Sequence, residues 1–71
     1  MIGSRLRLVR EGVGLSQKAF AEKFGLPQTT YAKYEIEKAG IPDDLKRKLA
    51  EMGINLHWLI TGSGAMYLDG S

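Results

Sequence analysis

The segment SQKAFAEKFGLPQTTYAKYE, residues 16–35, contains two short helical patterns separated by a glycine and a proline. In the first pattern Phe20 and Phe24 are four residues apart, a spacing that places both rings on one helical face. The second pattern places Tyr31 and Tyr34 inward and opens with polar residues, which would bury little surface. A polar start of this kind indicates a surface that meets something outside the chain.

A helix that ends at glycine and is followed, after about three to four residues, by another helix is the layout of a helix-turn-helix. Ala21 is small where the two helices would cross, and Gly25 can adopt the turn conformation that other residues resist. Glutamine can form two hydrogen bonds with adenine, and threonine can contact thymine, so a polar outer face suits contact with base edges. The candidate base-contacting residues on this face are Gln28, Thr29, Thr30 and Lys33.

Three further helices are predicted outside this segment, and no strand is predicted. Their expected bounds are residues 2–11, ending at Gly12 and Gly14, residues 41–53, ending at Gly53, and residues 56–60, ending at Thr61 and Gly62. Ser16 and Asn55 are the expected N-caps of the second and fifth helices, because their side chains can accept a backbone N–H. Pro27 is expected in the first turn of the third helix, where its missing N–H is not needed.

The chain of 71 residues allows one domain with a small core, and the absence of cysteine excludes disulfides and thiolate metal sites. No apolar segment approaches the ~20 residues of a membrane-spanning helix, and the N-terminus does not fit a signal peptide. A soluble, cytoplasmic protein is therefore expected. Residues 1–62 are the expected domain, and the glycine- and serine-containing residues 63–71 are expected to be a tail or the start of a linker.

The net charge of +2 is unevenly distributed along the chain. Residues 1–34 contain six Lys or Arg and two Glu, a net charge of +4, whereas residues 35–71 contain four Lys or Arg and six Asp or Glu, a net charge of −2. A basic half beside an acidic half fits a protein with one face that meets a polyanion. The alternative, that these charges only solvate a small surface, is left open by charge alone.

No arrangement of residues typical of an enzyme or a metal site is found in the sequence. His57 is the only histidine and has no second ligand at a suitable spacing, and the serines lack a partner base. The adjacent Asp43 and Asp44 fit the positive end of a helix dipole. We therefore expect no catalysis, no metal, no cofactor and no small-molecule substrate.

The segment GLSQKAFAEKFGLPQTTYAKYE, residues 14–35, resembles the helix-turn-helix of the phage repressor family (Cro/C1, or XRE), and the resemblance extends over residues 2–62. It is carried by Gln17, Ala21, Gly25 and the polar third helix that closes on YE. The ending INLHWLITGSGAMY is similar to the region after the DNA-binding domain of phage C1-type repressors. This resemblance implies an all-α, compact five-helix fold like that of the lambda repressor domain.

The resemblance also implies roles for individual residues. Gln28, Thr29, Thr30 and Lys33 would contact bases, and Gln17, Lys18 and Tyr31 would contact phosphates. Gln17 would also hydrogen-bond Gln28, and Arg10 would form a structural ion pair with Glu35. The chain departs from the family pattern at Pro27, which replaces a Ser or Thr cap, and at Tyr31, which is larger than the usual aliphatic residue.

These roles describe a transcriptional repressor that occupies a double-stranded DNA operator as a homodimer in a bacterial host, at the nucleoid. Leu56 and Trp58 lie either in the core or in the dimer contact, and the size of Trp58 favours the core. The alternative function is an antitoxin-like, protein-binding module. Activation instead of repression stays open, as does whether the chain is the excised N-terminal domain of a longer repressor or a short regulator.

Overall fold

Five helices form in the predicted order in a computed structural model that describes residues 1–68. Their bounds are α1 Ile2–Val13, α2 Gln17–Lys23, α3 Gln28–Glu35, α4 Asp43–Glu51 and α5 Leu56–Thr61. Over residues 1–68 the only β-type pairing is one isolated antiparallel bridge. The predicted all-α, five-helix fold is thus confirmed. None of the helices in residues 1–68 has the length and apolar character that crossing a membrane requires.

All five helices contribute to one apolar core. Its completely buried side chains include Leu6, Val9, Phe20, Tyr31, Leu49, Ile54 and Leu59. The ring of Phe20 packs edge-to-face against Phe24 and Tyr31, with centroid separations of 4.9 and 5.5 Å. Because burying one such side chain contributes about 1.5–3 kcal/mol, this aromatic contact holds α3 firmly against α2.

The first helix is longer than predicted. It continues through Gly12 to Val13 and ends at Gly14, whose N–H donates to the carbonyl oxygens of Arg10 and Glu11 at 3.1 and 3.0 Å. Gly14 is confirmed as a terminator, whereas Gly12 does not end the helix, because one glycine inside a helix costs only about 1 kcal/mol, which packing readily offsets.

The turn between α2 and α3 depends on a glycine in the left-handed region. Gly25 has φ +69°, and the N–H of Leu26 donates to the carbonyl of Ala21 at 2.9 Å. Pro27 follows as the N-cap of α3 with extended backbone (ψ 144°), so the helix begins at Gln28, one residue later than predicted. The Pro27 side chain gives no capping hydrogen bond.

The predicted side-chain caps of α2 and α5 are confirmed. The Ser16 hydroxyl accepts the N–H of Ala19 at 3.1 Å, and the Asn55 carboxamide oxygen accepts the N–H of His57 at 3.1 Å. Each cap satisfies a backbone donor that the first turn of its helix leaves without a partner. The start of α2 beside the turn is thereby fixed.

The start of α1 lies directly against the end of α3. Gly3 is buried there, and a Cβ atom at this position would lie 2.8 Å from the backbone carbonyl carbon of Glu35. Only glycine permits this close approach of the two backbones. The contact brings the C-terminal end of α3 within reach of side chains on α1.

The segment after α5 returns to the domain. The N–H of Asn55 donates to the carbonyl of Met66 at 2.8 Å, and the N–H of Leu68 donates to the carbonyl of Gly53 at 2.7 Å. Ile54 and Tyr67 form the isolated bridge between them. Part of the expected tail is therefore bonded to the loop before α5, while residues 69–71 of that tail lie outside the described residues.

Candidate nucleic-acid interface

The third helix has one buried face and one exposed face. Tyr31 and Tyr34 are buried in the core. All four predicted base-contacting residues keep at least part of their side chains accessible: Gln28, Thr29 and Lys33 are exposed, and Thr30 is half-buried. The packing of the two tyrosine rings therefore fixes which side of α3 points to solvent, and this side carries the predicted reading residues.

The end of α3 is held by a buried ion pair. Arg10 on α1 donates from Nε to Glu35 Oε2 at 2.7 Å, and from Nη2 to Oε1 at 3.4 Å. The Arg10 side chain is 13% exposed and that of Glu35 is 5% exposed. A third donor of the guanidinium, Nη1, contacts the carbonyl of Leu15 at 2.9 Å, so Arg10 also fixes the loop before α2.

Two further donors complete the surroundings of this carboxylate. The Tyr31 hydroxyl donates to Glu35 Oε2 at 2.5 Å, and the Gln17 amide nitrogen donates to Oε1 at 3.1 Å. Glu35 thus accepts four hydrogen bonds, which matches the acceptor capacity of a carboxylate. The arrangement connects α1, α2 and α3 through one side chain, and we call these four residues (Arg10, Gln17, Tyr31 and Glu35) the Glu35 cluster.

The cluster favours the charged form of Glu35. Burial alone would raise the pKa of this carboxyl, but the hydrogen bonds from Arg10, Tyr31 and Gln17 outweigh it and hold the pKa below its ordinary value. Burial and the bond to Glu35 raise the pKa of the Tyr31 hydroxyl, which keeps it protonated as a donor. The hydrogen bond to Glu35 likewise raises the pKa of Arg10.

The structure corrects the expectation of a phosphate contact at Tyr31. Its side chain is completely buried, and its hydroxyl is donated to Glu35. The ring is large enough to span the aromatic core and still bring the hydroxyl to a buried acceptor. Tyr31 therefore supports α3 from inside the protein and presents no exposed surface to a phosphate.

The other two predicted phosphate contacts lie in the first turn of α2. Lys18 is exposed and Gln17 is half-buried. The amide of Gln17 donates to Glu35, and within residues 1–68 no hydrogen bond joins Gln17 to Gln28, unlike the pairing that the resemblance implied. The hydrogen bond to Glu35 thus orients the Gln17 amide, and the residue is only partly buried.

Trp58 lies in the core, as its size suggested. Only 9% of its surface is exposed, and Leu56 is half-buried against the same core. Neither side chain therefore offers much surface to a second copy of the chain. The neighbouring Ile60, by contrast, is 51% exposed.

Two sets of side-chain contacts, one from Tyr31 and one from Arg5, were not predicted from the sequence. Tyr31 and Glu35 are four residues apart on one helix, a spacing that does predict proximity. Arg5 donates to the carbonyls of Leu59 and Ile60 at 2.7 and 2.9 Å and so caps the end of α5. Because Arg5 is more than fifty positions from these carbonyls, no local pattern could have predicted that contact.

A comparison with protein-family models identifies the family of this chain. A family model described as a helix-turn-helix domain matches residues 3–65. The chain belongs to the helix-turn-helix domain family. The match includes α2, the Gly25 turn and α3, so the geometry above is that of the family's defining motif.

One curated relative of this helix-turn-helix domain is an uncharacterized HTH-type transcriptional regulator, YonR, derived from the SPbeta prophage of Bacillus subtilis strain 168. The two are 37% identical over 70 aligned positions, and the match covers 94% of this chain. The chain spans 63% of the length of that relative. No solved structure matches this chain.

Proposed function

We propose that the protein is a sequence-specific, double-stranded DNA-binding transcriptional regulator that inserts α3 into the major groove. The observation that carries the proposal is the outer face of α3, where Gln28, Thr29 and Lys33 are exposed while two tyrosines anchor the opposite face. Glutamine and threonine side chains on a helix held in this way suit the hydrogen-bonding groups of base edges. Membership of the helix-turn-helix family and the name of the prophage regulator support the proposal.

Base contacts come from Gln28, Thr29, Thr30 and Lys33, and phosphate contacts come from Gln17 and Lys18. Phosphate contacts set the register of the protein on the duplex, and base contacts select the sequence. The regulator acts as a phage C1-like repressor, by occupying an operator in the cytoplasm of a bacterial host, at the nucleoid. Occupancy alone suffices for this mechanism, so it requires no cofactor.

The repressor binds its operator as a homodimer, with the two copies of α3 about one helical turn of DNA apart. Since Trp58 is buried, the dimer uses the apolar surface that α5 and the following segment leave exposed, at Ile60, Tyr67 and Leu68. Sedimentation of the protein on a duplex with two half-sites tests this arrangement. Two copies per duplex are expected for wild type, and Ile60→Asp is expected to bind as separate monomers with lower affinity.

Selection from a pool of randomised duplexes tests the proposed function. Wild type is expected to enrich a two-fold-symmetric site and to bind it with a steep dependence on salt. The Gln28→Ala variant is expected to relax the preference at one base pair in each half-site, at a cost of about 1–3 kcal/mol. If no sequence is enriched, or if Gln28→Ala selects the same site with the same affinity, α3 does not select the DNA sequence.

The second candidate function is an antitoxin-like module that binds another protein. It is favoured by an apolar groove of about 180 Å³ between the α2–α3 turn and α4. The groove is lined by Phe24, Leu26, Pro42, Asp44, Leu45 and Lys48. Binding to a protein that is insensitive to salt and lost in Leu26→Asp, together with no enrichment of any duplex, would favour this function.

A further inference from the structure

We propose that Tyr31 is a positioning residue for DNA binding: its buried hydroxyl orients Glu35, and Glu35 holds the Gln17 amide in place for a phosphate contact. The inference rests on the proposed DNA-binding function and adds to it a residue that never touches DNA. It follows from the way in which Arg10, Gln17 and Tyr31 share the two oxygen atoms of Glu35.

The two oxygens of Glu35 have different partners. Oε2 receives the Tyr31 hydroxyl at 2.5 Å and Arg10 Nε at 2.7 Å. Oε1 receives Gln17 Nε2 at 3.1 Å, while its contact with Arg10 Nη2 is long, at 3.4 Å. Because both oxygens belong to one planar group, the position of Oε2 sets the position of Oε1 and hence of the Gln17 amide.

The Tyr31 hydroxyl is what opposes rotation of this carboxylate. Arg10 is tied to the carbonyl of Leu15 as well as to Glu35, so the guanidinium itself is fixed. Without the Tyr31 bond, Oε2 keeps only Arg10 Nε as a donor, and the long 3.4 Å contact at Oε1 does little to hold the carboxylate. The carboxylate can then rotate, and the Gln17 amide that bonds Oε1 loses its fixed orientation.

The Gln17 amide, once oriented by Glu35, can donate a hydrogen bond to a DNA phosphate. Its nitrogen carries two hydrogens, of which the bond to Glu35 uses one. Since the amide is planar, fixing one N–H also fixes the direction of the second N–H and of the carbonyl oxygen. Gln17 is half-buried and lies next to the exposed Lys18, so the second N–H is available to a phosphate at the surface.

The test compares Tyr31→Phe with Tyr34→Phe, which removes a hydroxyl from a buried tyrosine that makes no side-chain hydrogen bond within residues 1–68. The first readout needs no DNA: NMR of the Gln17 side-chain amide. Wild type and Tyr34→Phe are expected to give two well-dispersed amide proton signals. In Tyr31→Phe these signals are expected to move towards the averaged values of a mobile glutamine.

The second readout is affinity for the duplex selected by wild type, with each variant at a temperature where circular dichroism shows it fully helical. Tyr31→Phe is expected to weaken binding about 2- to 10-fold, the usual range for one hydrogen bond, and Tyr34→Phe to leave it unchanged. In a Gln17→Ala background the effect of Tyr31→Phe is expected to vanish. This coupling separates positioning of Gln17 from a general loss of stability.

The outcomes are distinguishable. If wild type selects no duplex, the proposed function fails, and the NMR readout still decides whether Tyr31 orients Gln17. If Tyr31→Phe matches Tyr34→Phe in both readouts, or weakens binding equally in the Gln17→Ala background, the inference is overturned. If Tyr31→Phe does not fold, NMR of the wild-type protein still tests the inference. A slowly exchanging Tyr31 hydroxyl proton is expected close to the Gln17 amide protons, and the absence of this signal would contradict the inference.

Discussion

Glu35 connects three helices through its carboxylate. It lies at the end of α3 and accepts hydrogen bonds from Arg10 on α1, Gln17 on α2 and Tyr31 on its own helix. A buried ion pair contributes little net stability compared with apolar residues, but removal of one partner leaves a buried charge without compensation. The cluster therefore makes the placement of α3 sensitive to single substitutions far from its exposed face.

Substitution of Arg10 with methionine tests this dependence. Arg10→Met is expected to lower the free energy of unfolding by about 3–5 kcal/mol, because the Glu35 carboxylate stays buried without its cation. Urea denaturation followed by circular dichroism measures the loss. The double variant Arg10→Met/Glu35→Gln is expected to be more stable than Arg10→Met alone. A loss below about 1 kcal/mol would indicate an ion pair open to solvent.

The pH dependence of stability has a definite sign. Since the pKa of Glu35 is lower in the folded state than its ordinary value of 4.5, its contribution is fully present above pH 4.5. The contribution is lost as the pH falls through the folded pKa. The difference in free energy of unfolding between wild type and Glu35→Gln is therefore expected to shrink from pH 7 to pH 3. A constant or growing difference, measured in urea at both pH values, would contradict the pKa shift.

The sequence predicts part of this cluster and not the rest. Arg10 and Glu35 were expected from the family resemblance, whereas the two further donors were not. Tyr31 and Glu35 are four residues apart on α3, a spacing that predicts their proximity, although not which group the buried hydroxyl bonds. The contact from Gln17 depends on the packing of α2 against α3, which residue spacing alone does not specify.

At the α2–α3 turn, the effect of backbone conformation on stability can be measured separately from side-chain packing. Gly25 has φ +69° with no other atoms within 4 Å of an added Cβ, so Gly25→Ala introduces strain and no clash. The substitution is expected to cost about 1–2 kcal/mol. Gly40→Ala is the matched control, because Gly40 is equally open but has no positive φ, and its effect is expected to be neutral or slightly stabilising. Thermal unfolding measures both, and equal effects would contradict the account of the turn.

A second prediction about a single structural element concerns the N-cap of α2. Ser16→Ala is expected to lower the free energy of unfolding by about 1 kcal/mol, since the N–H of Ala19 loses its acceptor. Ser4→Ala, at an exposed position inside α1, is the control and is expected to be neutral or mildly stabilising, because alanine is the better helix former. If Ser16→Ala behaves like Ser4→Ala in urea denaturation, the hydroxyl does not cap the helix.

Helices are predicted well from this sequence because their local determinants are strong. Ser16, Asn55 and Gly25 each act within a few residues, and all three have the predicted roles. Helix ends are predicted less well: α1 passes through Gly12, and Pro27 caps α3 instead of entering it. The position of a helix end depends on free-energy differences of about 1 kcal/mol, and tertiary contacts are strong enough to shift it.

The charge of the whole domain predicts salt-dependent binding. Lys18 is exposed in the first turn of α2 and is a proposed phosphate contact, whereas Arg47 lies on α4, outside the proposed interface. Lys18→Gln is therefore expected to reduce the slope of log affinity against log salt by about 1. Arg47→Gln removes the same charge and is expected to leave the slope unchanged. A similar change in both variants, in titrations from low to high salt, would mean that only net charge matters.

The site as a whole was predicted in outline. Hydrophobic spacing in residues 16–35 is enough to separate the buried face of α3 from the face with Gln28, Thr29 and Lys33. The inward position predicted for Tyr31 is confirmed, whereas the phosphate contact that the resemblance implied lacks support, because the hydroxyl is donated to Glu35 inside the protein. The return of Met66–Leu68 to the domain combines backbone hydrogen bonds with packing of the Met66 side chain against the core, contacts that no local sequence pattern predicts.

The most direct test of the account is to map the DNA-contacting residues by NMR, titrating the protein with duplex DNA and following backbone and side-chain amide signals. We expect the largest shifts at residues 28–33 and at Gln17 and Lys18, with little change around the Phe24–Leu45 groove. Shifts concentrated at that groove, or no shifts at α3 at a duplex concentration that saturates binding, would contradict the claim that the exposed face of α3 meets DNA.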